Sequence, residues 1–175
     1  MNINMNISKE EIISKAYKLH SLGNIIEASA YYKLFIEKGF QDPNVFCNYG
    51  VICKQDGKID QAISLYKLAI KLFPTHSSGY GNLGNLFLTL GKLEQAEKFT
   101  RKAIELQPDS ASYYINLGYI LDKVGDLSKA EKITRFAIKL DPKNPLSYIN
   151  LGNLLRQSGD FDEAERNIKK AIEIN

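Results

Sequence analysis

The sequence is poor in the residues that disulfides, metal sites and hydrolytic centres need. Its 175 residues include two cysteines and two histidines. Cys47 and Cys53 would lie about 9 Å apart on one helix, beyond the roughly 7 Å limit for a disulfide, and their spacing matches no zinc or redox motif. His20 and His76 have no hydrolase motif beside them, and the G-x-G-x-x-G stretch at 79–84 follows no strand. We therefore expect no metal ion, no cofactor and no enzyme activity.

Long apolar runs and a dominant charge are also missing. No stretch approaches the roughly 18 apolar residues of a membrane span, and residues 1–11 do not resemble a signal peptide. The 23 basic residues are interleaved with 20 acidic ones, for a net charge of +3. Acidic neighbours dilute the one basic row that recurs, which is Lys33, Lys67, Arg101, Arg135 and Lys169. We expect a cytoplasmic protein that binds neither membranes nor nucleic acid.

What the sequence does contain is a constant interval. Glycines and prolines recur every 34 residues, at Gly23, Gly57, Gly91, Gly125 and Gly159 and at Pro74, Pro108 and Pro142. Such an interval is typical of a repeat array. It divides the chain into a flexible leader, residues 1–8, and one domain, residues 9–175. The domain has five repeats, at 9–42, 43–76, 77–110, 111–144 and 145–175.

Each repeat has the apolar period of two amphipathic helices joined by a glycine turn. In the third repeat, Leu83 and Phe87 belong to the first helical pattern, and Ala96 and Ala103 belong to the second. Small residues recur at positions 8 and 20 of the repeat, which lets the paired helices approach closely. The pattern therefore predicts an all-α fold of stacked antiparallel helix pairs.

These positions resemble the tetratricopeptide repeat. The fourth repeat carries the pattern in full, with Asn116-Leu117-Gly118, Gly125, Ala130, Ala137 and Pro142. The first repeat departs from it, because Lys15 and Ala16 stand where Leu-Gly is typical. The resemblance covers residues 9–175 and implies a right-handed α-solenoid, or superhelix, that acts as a protein–protein interaction scaffold.

The first helices share a face that is polar but largely uncharged. Position 6 is asparagine in four consecutive repeats, and an amide side chain offers the donor and the acceptor that match a peptide group. The resemblance supports a peptide groove on this face, as in the repeats of O-linked N-acetylglucosamine transferases; a packing role for the asparagines is the alternative. The predicted groove residues are Asn48, Gln55, Asn82, Asn85, Asn116, Tyr119, Lys123, Asn150, Asn153 and Gln157.

Three functions remain open from the sequence. The first is a non-catalytic scaffold that holds an extended protein or peptide segment in this groove. The second is the substrate-recruiting arm of a larger transferase whose catalytic domain is not in this chain. The third is a structural array that assembles end to end, because Ile168, Ala171 and Ile172 leave an apolar edge on the last repeat. We expect self-association through Ile168 and Ile172 if that edge is free.

Overall fold

The computed structural model describes residues 7–174, and within them the regular structure consists of ten helices in five pairs. Every odd-numbered helix begins at the first residue of a predicted repeat, so the expected helix-pair fold is confirmed. The helices are α1 Lys9–Ser21, α2 Ile25–Glu37, α3 Pro43–Gln55, α4 Ile59–Leu72, α5 Ser77–Thr89, α6 Leu93–Leu106, α7 Ala111–Val124, α8 Leu127–Leu140, α9 Pro145–Ser158 and α10 Phe161–Ile174.

The last residues of the predicted leader take part in the fold. Ser8 caps α1, because its hydroxyl accepts a hydrogen bond from the Glu11 backbone N–H at 3.2 Å. The Glu11 carboxylate in turn accepts from the Ser8 N–H at 3.1 Å, which completes a capping box. Ile7 is only 9% exposed. Residues 1–6 of the leader lie outside the described residues.

The chain divides into two compact units, Met1–Asn82 and Leu83–Asn175. In the N-terminal unit, α1 packs against α2, α2 against α3 and α3 against α4. In the C-terminal unit, α6 packs against α7, α7 against α8, α8 against α9 and α9 against α10. The first helices α7 and α9 also contact each other, and this contact positions the main candidate site.

Glycines close the turns between paired helices. Gly125 and Gly159 follow α7 and α9 with φ values of 90° and 87°. This left-handed conformation is strained for residues that carry a Cβ but not for glycine. The glycine at position 15 of these repeats therefore forms the turn that the sequence predicted.

The small residues at positions 8 and 20 lie where paired helices meet. A Cβ added at Gly118 would lie 2.5 Å from the Thr134 hydroxyl oxygen. Ala130 is fully buried among Leu117, Leu121 and Leu154. The close approach of the two helices therefore depends on the absence of larger side chains.

Thr134 buries a hydroxyl group that has no hydrogen-bond partner among the described residues. Such a group loses its contact with water without compensation, at a cost of roughly 1–3 kcal/mol. Valine has nearly the same shape and lacks the hydroxyl, so we expect Thr134→Val to raise the free energy of unfolding by about 1 kcal/mol. Urea denaturation measures this change. Thr89→Val is the control, because Thr89 is exposed and its hydroxyl donates to the Asn85 carbonyl at 3.0 Å; a lower urea midpoint for Thr134→Val would contradict the assignment.

The basic row on the second helices is paired with acidic side chains. Arg101 and Glu97 are 2.7 Å apart, and Arg135 and Glu131 are 2.8 Å apart. Arg135 also donates two hydrogen bonds, of 2.9 and 3.0 Å, to the carboxylate of Glu163 on α10. These bonds hold the pKa of Glu163 below its ordinary value. The pairs leave little unbalanced positive charge at these two positions of the row.

Candidate functional site

A cavity of about 260 Å³ lies between α7 and α9 in the C-terminal unit. These helices are the first helices of successive repeats, which is where the sequence predicted a groove. Five predicted residues line it, namely Tyr119, Lys123, Asn150, Asn153 and Gln157. The other lining residues are Gly118, Asp122, Leu154 and Arg156. Asn85 and Asn116, which were predicted with them, do not line this cavity.

Part of the cavity wall is held in place by hydrogen bonding. The Gln157 amide donates to Asp122 Oδ1 at 2.9 Å, and the Lys123 ammonium lies 3.6 Å from Asp122 Oδ2. Only 13% of the Asp122 side chain is exposed. The Lys123 ammonium also lies 4.9 Å from the centre of the Tyr119 ring, which is a cation–π contact. Both oxygens of the Asp122 carboxylate therefore have a partner within the protein.

The rest of the wall keeps its hydrogen-bonding groups available. The side chains of Asn150, Asn153 and Arg156 make no hydrogen bond or ion pair with another residue in the range 7–174. They are spaced three residues apart on α9, so they lie along one side of that helix. The cavity thus combines a fixed polar wall from Asp122 and Gln157 with a row of free donors.

In the N-terminal unit, the predicted asparagines form hydrogen bonds inside the protein. The Asn48 amide donates to the Tyr32 hydroxyl at 3.5 Å. Asn82 is hydrogen-bonded to the Cys47 thiol, whose pKa burial raises to about 12 against the lowering effect of that bond. The third predicted residue here, Gln55, is exposed at the end of α3. The amides of Asn48 and Asn82 therefore make contacts within the protein.

A second, shallower cavity of about 280 Å³ lies in the N-terminal unit and is lined by Tyr17, His20, Ser21, Tyr32 and Asn48. His20 Nδ1 lies 3.0 Å from the Tyr32 hydroxyl oxygen. The Tyr17 hydroxyl donates to Asp42 Oδ1 at 3.1 Å, and burial together with the Asp42 charge raises the pKa of Tyr17. This cavity is aromatic where the α7–α9 cavity is rich in amides and charge.

Sequence reasoning missed one row of lining residues, at position 12 of the repeat. His20 lines the N-terminal cavity, and Asp122 and Arg156 line the C-terminal one. Position 12 is three residues after position 9, which places both on one side of the helix. The signal was present, because position 12 is polar or charged in four repeats, at His20, Lys54, Asp122 and Arg156.

Two further findings concern metal binding and membrane-spanning helices. Among residues 7–174, no cluster of three His, Cys, Asp or Glu side chains could hold a metal ion. In the same range, no helix has both the length and the apolar character that a membrane crossing requires.

Helix pairs that recur every 34 residues define a helical-repeat protein. Models described as the tetratricopeptide repeat match residues 43–76, 77–110, 99–132 and 145–175. These matches cover more than half of the sequence, and the chain belongs to the tetratricopeptide repeat family.

Solved structures share the fold over nearly the whole chain. MamA 41-end from Desulfovibrio magneticus RS-1 is 21% identical, with a TM-score of 0.80 over 98% of this chain and 97% of that one. TTC0263, a thermophilic TPR protein in Thermus thermophilus, is 22% identical, with a TM-score of 0.79 over 95% and 91%. No curated protein matches the chain. Neither of these two structures is described as a glycosyltransferase, so the resemblance to transferase repeats stays a prediction.

Proposed function

We propose that this protein is a non-catalytic interaction scaffold that holds an extended segment of a partner protein along its first helices. The observation that carries the proposal is the α7–α9 cavity, which joins five residues that the sequence had marked as peptide-binding. Membership of the tetratricopeptide repeat family and the shared fold support a scaffold role. The groove residues that we assign to ligand contact are those of this cavity, above all Asn150 and Asn153.

The spacing of the free amides suits an extended chain. Asn150 and Asn153 are three residues apart on α9, a rise of about 4.5 Å. An extended segment advances about 3.4 Å per residue, so the two amides reach peptide groups of adjacent ligand residues. Each amide both donates and accepts a hydrogen bond. Two such contacts bind backbone and leave the choice of ligand side chain to neighbouring residues.

The test begins with selection of binders from a random-sequence peptide display library on the immobilised full chain. Selected peptides are synthesised, and their dissociation constants are measured by fluorescence anisotropy. We expect Asn150→Ala combined with Asn153→Ala to weaken binding by about 10- to 30-fold, because each lost hydrogen bond contributes about 1 kcal/mol. Circular dichroism verifies that the double variant is folded.

The matched control is Gln95→Ala, which removes an exposed amide from the second helix α6, outside the cavity. This variant should bind the selected peptides as the wild type does. A second double variant, Asn82→Ala with Asn116→Ala, tests the asparagines that lie outside the cavity lining. Peptides whose affinity is unchanged by the Asn150/Asn153 variant would show that the ligand lies elsewhere, and the proposal would be wrong.

An apolar groove at the end of the C-terminal unit favours a second role, self-association. The groove has a volume of about 530 Å³ and is lined by Pro145, Leu146, Ile149, Ile168, Ala171 and Ile172. Ile172 is 72% exposed, whereas Ile138, at the same position of the preceding repeat, packs against Leu151 and Leu155 of α9. In the earlier repeat a following helix therefore covers the equivalent residue.

We assign this groove to a second copy of the chain. The adjoining surface of α10 carries both signs of charge, with ion pairs between Lys169 and Glu165 and between Lys170 and Glu173. Two identical edges can therefore meet without a large excess of like charge, and each supplies apolar side chains to the other. The predicted contact residue Ile168 lines this groove and also packs over Gly152 within the α9–α10 pair, so Ile149 takes its place in the test.

Sedimentation or light scattering of the full chain tests self-association. We expect wild-type dimers at high protein concentration and monomers for Ile149→Asp combined with Ile172→Asp, because charges in the apolar interface remain unpaired. Ile26→Asp is the matched control, since Ile26 is 88% exposed in the N-terminal unit, and this variant should dimerise normally. A wild-type chain that stays monomeric at every concentration would contradict the assignment.

A further inference from the structure

The α7–α9 cavity has one charged side chain with no partner of opposite charge among the described residues. Three charged side chains line it, Asp122, Lys123 and Arg156. Asp122 and Lys123 are paired at 3.6 Å, and Gln157 donates a further hydrogen bond to Asp122. The Arg156 guanidinium has no ion pair or hydrogen bond with the described residues. The cavity therefore presents a surplus of one positive charge, located on α9.

We propose that this cavity selects partner segments that place an aspartate or glutamate side chain beside Arg156. The inference rests on the proposed function and adds the chemical class of the partner segment to it. Arginine suits this role because its planar guanidinium donates two parallel hydrogen bonds to a carboxylate. Asn153 lies one helical turn before Arg156, so its amide reaches the peptide group next to the acidic residue.

The remaining acid in the cavity does not oppose this preference strongly. Both carboxylate oxygens of Asp122 already face a donor, from Gln157 and from Lys123, and its side chain is 13% exposed. A basic ligand residue would have to displace Lys123 or Gln157 to reach Asp122 and would at the same time approach Arg156. A carboxylate meets a free donor and breaks no existing bond.

The cavity of the N-terminal unit offers a contrast. No lysine or arginine is among its lining residues, and the nitrogen His20 Nδ1 already lies 3.0 Å from the Tyr32 hydroxyl. An acidic ligand residue has no comparable free cation there. The preference is therefore assigned to the α7–α9 cavity alone.

The peptide selection described above supplies the probes. Peptides that bind the wild-type chain should be enriched in Asp or Glu at one fixed position. Replacing that residue by Asn or Gln should weaken binding by about tenfold, because one charge-assisted contact is lost. Arg156→Gln should remove this difference in affinity between the acidic and the amide peptide. Arg156→Glu, selected against the same library, should favour Lys or Arg at that position.

Arg166→Gln is the control, because Arg166 is exposed on α10 and does not line the cavity. An acidic preference that survives in Arg156→Gln would overturn this inference, and so would binders with no acidic position or with a basic one. In those cases the proposed function still stands if the Asn150/Asn153 variant loses affinity. A library that yields no binder at all would overturn both.

Discussion

Replacing Gly50 by alanine should lower the free energy of unfolding by about 1–3 kcal/mol. The new Cβ would lie 2.9 Å from Cδ1 and Cζ of Tyr66, and Cε1 of the same ring would be closer still. Tyr66 is 1% exposed, so its rigid ring is enclosed by the protein and any shift must displace its neighbours. Alanine favours a helix over glycine by about 1 kcal/mol, which offsets only part of this strain. Urea denaturation followed by circular dichroism measures the loss.

Gly118→Ala is the matched control for this prediction. Gly118 holds the same position in the fourth repeat, but its added Cβ would meet the Thr134 hydroxyl oxygen at 2.5 Å, and the next atoms lie at 3.6 Å. At Gly118 one side-chain atom must shift, whereas at Gly50 three atoms of one ring must do so. We therefore expect a smaller loss for Gly118→Ala, since the helix propensity of alanine offsets more of it. Equal losses in the two variants would show that the Tyr66 ring is not the cause.

The second large effect is expected for Ala130→Leu, with a loss of about 1–3 kcal/mol. Ala130 is fully buried and lies in a core cluster with Leu117 and Leu121 of α7 and Leu154 of α9. Three extra carbon atoms at this point must push the paired helices apart or force side chains from their preferred rotamers. The change also reaches the next repeat, because Leu154 belongs to it.

Ser128→Leu on the same helix provides the comparison, since Ser128 is exposed. Substitutions of this kind usually change stability by less than about 0.5 kcal/mol. The urea midpoint of Ala130→Leu should fall clearly below that of Ser128→Leu. Equal midpoints would mean that the α7–α8 contact has room for a larger side chain, contrary to the packing described.

The glycines at position 8 show what the sequence repeat predicts about packing and what it does not. The repeat makes Gly50, Gly118 and Gly152 equivalent, and it predicts correctly that each faces a close neighbour. It does not say how that neighbour responds, because this depends on the residue at position 24: a ring at Tyr66, a hydroxyl at Thr134 or a flexible chain at Ile168. The cost of the same substitution therefore differs from repeat to repeat.

The candidate site shows the same difference between what the sequence predicts and what the structure adds. Helical spacing assigned Tyr119 of α7 and Asn150 and Asn153 of α9 to the shared polar face of the first helices. The structure brings all three to one cavity. Spacing could not reveal that Gln157 is bound to Asp122, 35 positions earlier in the chain. Nor could it show that the Asn48 amide is engaged with Tyr32 on the neighbouring repeat. Whether an amide is free for a ligand depends on partners that only the folded chain supplies.

The sequence by itself determined the helix pairs, the bounds of the repeats and their glycine turns. These features follow from interactions between residues a few positions apart, such as the apolar period and the positive φ at Gly125. Only the tertiary structure decided which polar groups remain available, Arg156 and Asn153 among them. Hydrogen bonds between repeats engage others, such as Asn48 and Gln157, and their partners are set by packing over tens of residues rather than by local spacing.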